Sequence, residues 1–445
     1  MPFETCLLSD LAEIIVGFPF KSDDFNTDMK GVKLVRGVNV TTGSFRWDGD
    51  SRWWSNLTPE LNSYYLKKDD IIIGMDGSRV GKNYAMVQES DLPLLLVQRV
   101  ACIRAKDGID QNYLWSCISS SKFEAYIDSI KTGTTIPHIS AKQIGDFPIP
   151  IVNSSIQSAV GYYSRTINHK IQIIQKINDN LSKQLECRYY NLYDSFGVNP
   201  VETMSGEYPD GWHLESVKDY CIDMKNGATP SRSKEEFWID GEIPWVVTGE
   251  VNNSIILDTA ERITESGLNN SSAKILPVDS VVMAMYGRGT AARLAYLKIE
   301  ATTNQACCGM ICSSPNRSAF LYETLRQMQD QVDSLASGSV QQNLSKEIIG
   351  NLKFVCPPDD MIEKMNFIQT IDSMTVNKKQ MMKLARIRDC LLPKLVSGEI
   401  DVSTLELPTK YSFGRLLGNV LLMGVLYILL IYHGIVERCI DPNVP

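Results

Sequence analysis

The chain has 445 residues, 44% hydrophobic and 22% charged, the balance of an ordinary globular protein long enough for two or three domains. Its formal net charge of −8 argues against bulk attraction to nucleic acid, although a local basic face is compatible with that total. The 11 cysteines are odd in number and lack CxxC spacing, and Cys307, Cys308 and Cys312 have no neighbouring His or Cys to complete a zinc site. They read as reduced, mostly buried thiols of a cytoplasmic protein. The opening Met-Pro-Phe-Glu-Thr has neither the basic stretch nor the apolar run of a secretion signal.

In chain order, residues 1–152 form a first module. Short β-like runs (Val32–Val35, Ile71–Ile73, Leu94–Val97, Val100–Ile103) alternate with Gly, Asp and Asn, and helical interludes are expected over Gln111–Ser129. The module closes on Gly133-Thr-Thr-Ile-Pro-His-Ile-Ser-Ala-Lys-Gln-Ile-Gly145 and a Pro-bearing stretch, Phe147–Pro150. A long helix over 153–196 follows. Its apolar positions Val160, Tyr163, Ile167, Ile171, Ile174, Ile177, Leu181 and Leu185 step by three and four, a coiled-coil-like seam.

Residues 208–357 then repeat the module: Ile243–Val247, Val281–Met283, Ala306–Cys312 and a helix across Ala319–Leu335. Asp69-Asp-Ile-Ile-Ile-Gly-Met-Asp-Gly77 matches Asp279-Ser-Val-Val-Met-Ala-Met-Tyr-Gly287. The closing segment returns as Gly338-Ser-Val-Gln-Gln-Asn-Leu-Ser-Lys-Glu-Ile-Ile-Gly350. So long a period is a duplicated domain, not a solenoid. A second long helix occupies 358–400, with seam residues Met361, Met365, Ile368, Ile371 and Met374, a polar break near Lys378, then Met381, Leu384, Ile387 and Leu391. At 1.5 Å per residue, helices of about 35–40 residues span roughly 50–60 Å. The expected fold is α+β: two similar mixed domains, two long helices pairing antiparallel with pseudo-two-fold symmetry, and an extra hydrophobic C-terminal helix. That last element is the apolar extension 409–445, whose Leu416–Tyr432 run is just long enough to cross a bilayer, so a membrane contact through this tail is one reading and a soluble extension the other.

The ordered set resembles the specificity (S) subunit of type I restriction–modification enzymes over about residues 5–402. The resemblance rests on the domain–helix–domain–helix order and on Gly338-Ser-x-Gln-Gln-Asn-Leu-Ser345 running into Cys356-Pro-Pro358. It rests also on Leu391-Leu-Pro-Lys-Leu-Val-Ser-Gly-Glu-Ile400 and on the loops Met75–Lys82 and Met285–Thr290. Asn304-Gln305 fits as well. Pro137-His138 in place of Gln342-Asn343, and Tyr193-Asp-Ser-Phe196 ending the first helix, depart from the pattern. The resemblance implies two target-recognition domains that each read half of a bipartite double-stranded DNA site, with the paired helices setting the spacer. It implies no catalytic site in this chain. S-adenosylmethionine, ATP and Mg would belong to partners: methyltransferase (M) subunits, two in number, and restriction/translocase (R) subunits.

The residues agree by omission. There is no G-x-x-x-x-G-K-[ST], no Asn/Asp-Pro-Pro-aromatic motif and no convincing nuclease carboxylate set. The four histidines are dispersed, so no metal cluster is expected. A fused DNA methyltransferase and a membrane-anchored interaction protein are the rival classes.

Arg and Lys pair with guanine, and Asn or Gln with adenine. On that basis the DNA-reading candidates on Gly-punctuated loops are Arg36, Asn39, Arg79, Lys82, Asn83, Thr134 and Thr135 in the first module. In the second they are Thr229, Ser231, Arg232, Thr248, Arg288, Thr290, Arg293, Gln341 and Asn343. A turn-capping or domain-closing role is the alternative for each, His138/Asn343 and Thr134/Ser339 especially. Ile167, Ile174, Leu181, Ile368, Met381 and Leu391 are seam residues, with subunit docking as their second role. The basic run Lys378, Lys379, Lys383, Arg386 and Arg388 reads as the solvated face of its helix.

Overall fold

The computed structural model describes residues 4–47, 51–77, 79–132, 137–200, 208–287, 290–337 and 343–396. The apolar extension 409–445 and Ser397-Gly-Glu399 lie outside them. Among the described residues no helix is long and apolar enough to cross a membrane. The chain divides into two compact units: residues 1–173 with 381–445, and residues 174–380.

In the first unit a four-stranded antiparallel sheet has the order Ala12–Val16, Val100–Ala105, Ile71–Gly74, Tyr84–Met86. Ile71, Ile72 and Ile73 are wholly buried, as expected of a β-branched run covered on both faces. A smaller sheet places Val32–Val35 between Trp53–Trp54 and, in parallel, Leu94–Leu96. The strand Thr5–Leu7 pairs with Pro148–Pro150, so the module's beginning is tied to its end.

The second unit has the same plan. Its main sheet runs Asp223–Asn226, Cys307–Ile311, Val281–Ala284, Leu294–Leu297, Ser254–Ile256. Ile243–Val246 lies between Glu261–Ile263 and, in parallel, Thr302–Thr303. His213–Ser216 pairs with Lys353–Cys356. The duplication read in the sequence is a duplication of topology.

The helical interludes of the first module are two helices, and the single helix expected across Ala319–Leu335 is broken as well. Gln111–Ile118 and Ser121–Ile130 are separated where the Ser120 hydroxyl accepts from Phe123 N–H, an N-cap that starts a new helix. Pro315–Gln327 and Gln329–Ser337 are likewise separated at Met328. The first long helix spans Ser154–Asp194 without interruption. The second shows no break at Lys378. It breaks at Asn366, between Asp359–Met365 and Phe367–Val396, where φ is 48°. Asparagine takes the left-handed conformation at little cost, so it can end one helix and begin the next.

Within the second unit the helices run antiparallel. Asn178 Nδ2 donates to Met374 O (3.2 Å), while ten residues on, Arg188 donates to Met365 O (3.1 Å). Within the first unit Arg388 Nη1 donates to Asn168 Oδ1 (2.9 Å). Arg388 is thus largely buried, and Lys378, half-buried, donates to Ile255 O; neither belongs to a solvated face. Burial lowers the pKa of Lys378. The seam is also less apolar than its spacing suggests, because Ile177 is exposed and Asn178 takes the buried place beside it.

Each module is anchored to the helix that follows it through an aspartate at positive φ. Asp69 (φ 68°) meets Arg165 (3.1 Å) of the first helix. Asp279 (φ 66°) meets Lys298 (2.6 Å), which also holds Asp372 of the second helix (2.6 Å).

Two glycines make the sheet-to-sheet crossing possible. A Cβ on Gly17 would lie 2.2 Å from Val97 O, and one on Gly227 would lie 2.0 Å from Asn304 O. Both obstacles are backbone and cannot swing away. Gly17→Ala and Gly227→Ala should each destabilise by about 1–3 kcal/mol, the usual cost of overpacking. Thermal unfolding checks this: an unchanged Tm in both variants would show that the crossings relax freely.

Candidate nucleic-acid interface

The same loop leaves the central strand in each unit, and the same partners hold its root. In the first unit, Met75 N–H donates to Arg99 O (3.0 Å), Ile139 N–H to Met75 O (2.9 Å) and Gly77 N–H to Pro137 O (3.0 Å). A bridge joins Asp76 to His138. In the second, Met285 N–H donates to Ala306 O (2.7 Å) and Leu344 N–H to Met285 O (2.8 Å), and a bridge joins Tyr286 to Asn343. The closing segment is therefore stitched to the glycine-bearing loop, which brings together residues some sixty positions apart. His138 and Asn343 serve this closure through their backbones.

Around the first loop, Thr42 Oγ1 donates to Lys82 O (2.6 Å) and accepts from Arg79 Nη2 (3.1 Å). Gln172 of the long helix supports this turn by donating to Gly43 O (2.6 Å). Arg79 is exposed, and Lys82 is held loosely by Asp128 (3.6 Å). Arg99, whose side chain is 69% exposed, reaches Asp76 (3.3 Å). The Arg36–Asn39 turn abuts the loop, since a Cβ on Gly37 would meet Asp76 Oδ1 at 3.2 Å. Arg36 itself lies against the Phe25 ring at 5.9 Å.

Asn39 does not fit a reading role. It is wholly buried, its Oδ1 accepts Arg36 N–H (3.2 Å) and its Nδ2 donates to Arg46 O (3.2 Å), so its amide holds the turn. Asn83 is half-buried, and its carbonyl accepts Gly74 N–H (3.0 Å) in the ladder.

Around the second loop, Thr290 donates to Tyr286 O (2.9 Å), and Arg293 donates to Asn252 Oδ1 (3.0 Å). Thr229 donates to Gln305, next to the Ala306 carbonyl at the loop root. Thr248 is engaged by the Asn304 amide (3.0 Å) and Cys307, a structural triad rather than a free reader. Ser231 bonds Ser233 (2.9 Å). Arg232 lies over the Trp238 ring (3.7 Å to the ring centre) near Trp245 (4.8 Å), and pairs with Glu261. It is a packed guanidinium, though half of it stays exposed. Thr134, Thr135, Arg288 and Gln341 lie outside the described residues.

Sequence reasoning missed Arg99 and Thr42. Aligning Val97-Gln-Arg-Val100 with Asn304-Gln-Ala-Cys307 would have brought out Arg99, because a carbonyl of each segment accepts the N–H at the loop root. Thr42 carries no sequence signal, being placed by a two-residue hairpin and a helix far along the chain. Of the docking candidates, Ile167, Ile174 and Leu391 are buried, and Leu181, Ile368 and Met381 are half-buried. Among the described residues, the exposed large apolar positions on the two long helices are instead Ile173, Ile177, Tyr190 and Val376.

Two copies of one loop-bearing domain, each followed by a long helix, define a class: proteins that confer DNA specificity on type I restriction–modification enzymes. The chain belongs to the family described as type I restriction modification DNA specificity domain, whose model matches residues 2–183 and 209–381. It is 24% identical over 339 residues to the MjaIX specificity subunit of Methanocaldococcus jannaschii, covering 74% of this chain and 77% of that one. It is 27% identical over 234 residues to the HindI specificity subunit of Haemophilus influenzae, covering 49% and 50%. The fold is similar to a solved S subunit from M. genitalium, with a TM-score of 0.50, 15% identity and coverage of 88% and 96%. This family supplies specificity and not catalysis.

Arg79→Ala should weaken binding at one half-site by about 1–3 kcal/mol and relax base preference only there, as should Arg293→Ala at the other. Competition binding against single-base variants of the target checks this. Equal weakening on every sequence would make the side chain a phosphate contact.

Proposed function

We propose that this chain is the DNA-reading subunit of a type I restriction–modification complex, and that its two units each recognise one block of a bipartite duplex site. The single observation that carries this reading is the recurrence in both units of the same loop, stitched by the same closing segment, with different side chains around it. In the first unit Arg79, Lys82 and Arg99 border the loop. In the second, Arg293, Thr290, Thr229 and Gln305 do, with Asn343 beside them. A shared backbone with divergent polar side chains suits one docking mode with two sequence preferences. Arg79, Lys82 and Arg99 give the first loop a local positive border, which is compatible with a net charge of −8 for the chain.

The two long helices set the interval between the blocks. Half-sites one DNA turn apart lie about 34–36 Å apart on the same face, within the span of a 41-residue helix. Two methyltransferase subunits dock on the helices, with Ile173, Ile177 and Val376 as apolar contacts, and the restriction/translocase subunits join them. S-adenosylmethionine, ATP and Mg act on those partners.

Co-expression with the cognate methyltransferase subunit, followed by single-molecule mapping of methylated adenines in the host genome, tests the reading. A new split motif with two short blocks around a fixed spacer is the expected result. A stable complex that methylates without such a motif would overturn it.

A further inference from the structure

Four histidines dispersed through the sequence give no hint of a metal site, but strand pairing undoes that dispersion. In the second unit His213–Ser216 lies antiparallel to Lys353–Cys356, with His213 directly opposite Cys356. Alternation along a strand puts His213 and Glu215 on one face, and cross-strand partners share a face. The imidazole, the Glu215 carboxylate and the Cys356 thiol accordingly converge, with one ligand atom of each within 4.8 Å of the others. His213 Nε2 and Glu215 Oε2 are already 3.3 Å apart.

We propose that His213, Glu215 and Cys356 form a binding site for one zinc-class divalent cation, which clamps the first strand of the second unit to its last. Zinc takes nitrogen at about 2.0 Å and thiolate at about 2.3 Å in a tetrahedron, so its donor atoms lie roughly 3.5 Å apart. Closing the present set to that spacing needs a movement of about an ångström. The His213 side chain is 57% exposed and free to swing, while Cys356 is fixed in the core at 1% exposure. Thiolate and carboxylate together neutralise the ion, and the exposed side of the site leaves the fourth position to water. Binding releases the Cys356 proton to solvent, with no change of oxidation state.

Burial and the adjoining Glu215 carboxylate hold the Cys356 thiol well above its ordinary pKa. A cation placed between the two removes that repulsion. Arg317, a positive charge that acts on the Cys356 thiol, is already paired with Asp359. The strand pair at the same place in the first unit, Thr5–Leu7 with Pro148–Pro150, offers no matching set, so one ion per chain is expected. The site lies on the strand pair that leads into Pro357-Pro358 and the second helix, where a clamp would steady the exit of the chain.

The test is titration of the full-length protein with Co(II), followed by Zn(II) competition. Wild type should bind one equivalent with a thiolate-to-cobalt charge-transfer band that Zn(II) abolishes, and Zn(II) should raise its Tm. Cys356→Ser should lose the band. Because that thiol is in the core, His213→Ala at the exposed ligand is the second variant. It should fold as wild type, bind at least tenfold more weakly and lose the Zn(II)-dependent rise in Tm. Cys187→Ser, which removes an exposed thiol elsewhere, should change nothing. Absence of the band in wild type would overturn the proposal, as would its persistence in folded Cys356→Ser or unchanged affinity in His213→Ala.

Discussion

Everything the two units present to a partner depends on one backbone stitch. Ile139 N–H donates to Met75 O in the first unit, and Leu344 N–H donates to Met285 O in the second. Each bond joins a segment that ends its module to the first residue beyond the central buried strand. Without it the glycine-bearing loop would be an open excursion with the conformational freedom of any exposed loop. With it, the loop's root is held on one side by the closing segment and on the other by the Arg99 or Ala306 carbonyl. The glycine crossings at Gly17 and Gly227 lie behind this root, and the Asp69–Arg165 and Asp279–Lys298–Asp372 contacts join each module to its helix. These ionic anchors are only partly shielded, so they orient more than they stabilise.

The duplication separates architecture from reading. Strand order, stitch, crossing and anchor recur, while the polar residues around the loops do not. The first unit offers cationic groups held by weak partners, such as Lys82 at 3.6 Å from Asp128. The second sets neutral donors and acceptors, Thr229 with Gln305 and Thr290 with Tyr286 O, beside Arg293. Positive and neutral groups recognise different base edges, so identical scaffolds can carry unlike preferences without any change in how they dock.

The sequence showed the duplicated α+β domain and both long helices, because wholly apolar runs such as Ile71–Ile73 and a seam repeated over many turns are strong local signals. The family followed from motifs that recur in order. The loop residues were harder. Asn39 has the right chemistry for a base reader, yet a turn consumes its amide, and only tertiary placement reveals that. Arg99 and Thr42 reach the loop through pairings across 23 and 37 residues that no local pattern encodes. The second long helix, read as continuous, is interrupted at Asn366 in the left-handed region, while the polar break in its seam near Lys378 stays helical, the lysine donating to Ile255 O.

The way the units divide the chain bears on the order in which they can fold during synthesis. Residues 174–380 are contiguous, so the second unit has all of its parts once residue 380 has left the ribosome. The first unit combines residues 1–173 with a segment that begins at Met381. Its sheets form early, but Asn168 must wait for Arg388, its hydrogen-bond partner, which is translated only after the whole second unit. Nascent chains thus pass through a stage in which the later-encoded unit is complete and the earlier-encoded one is not, a reversal of the usual vectorial order.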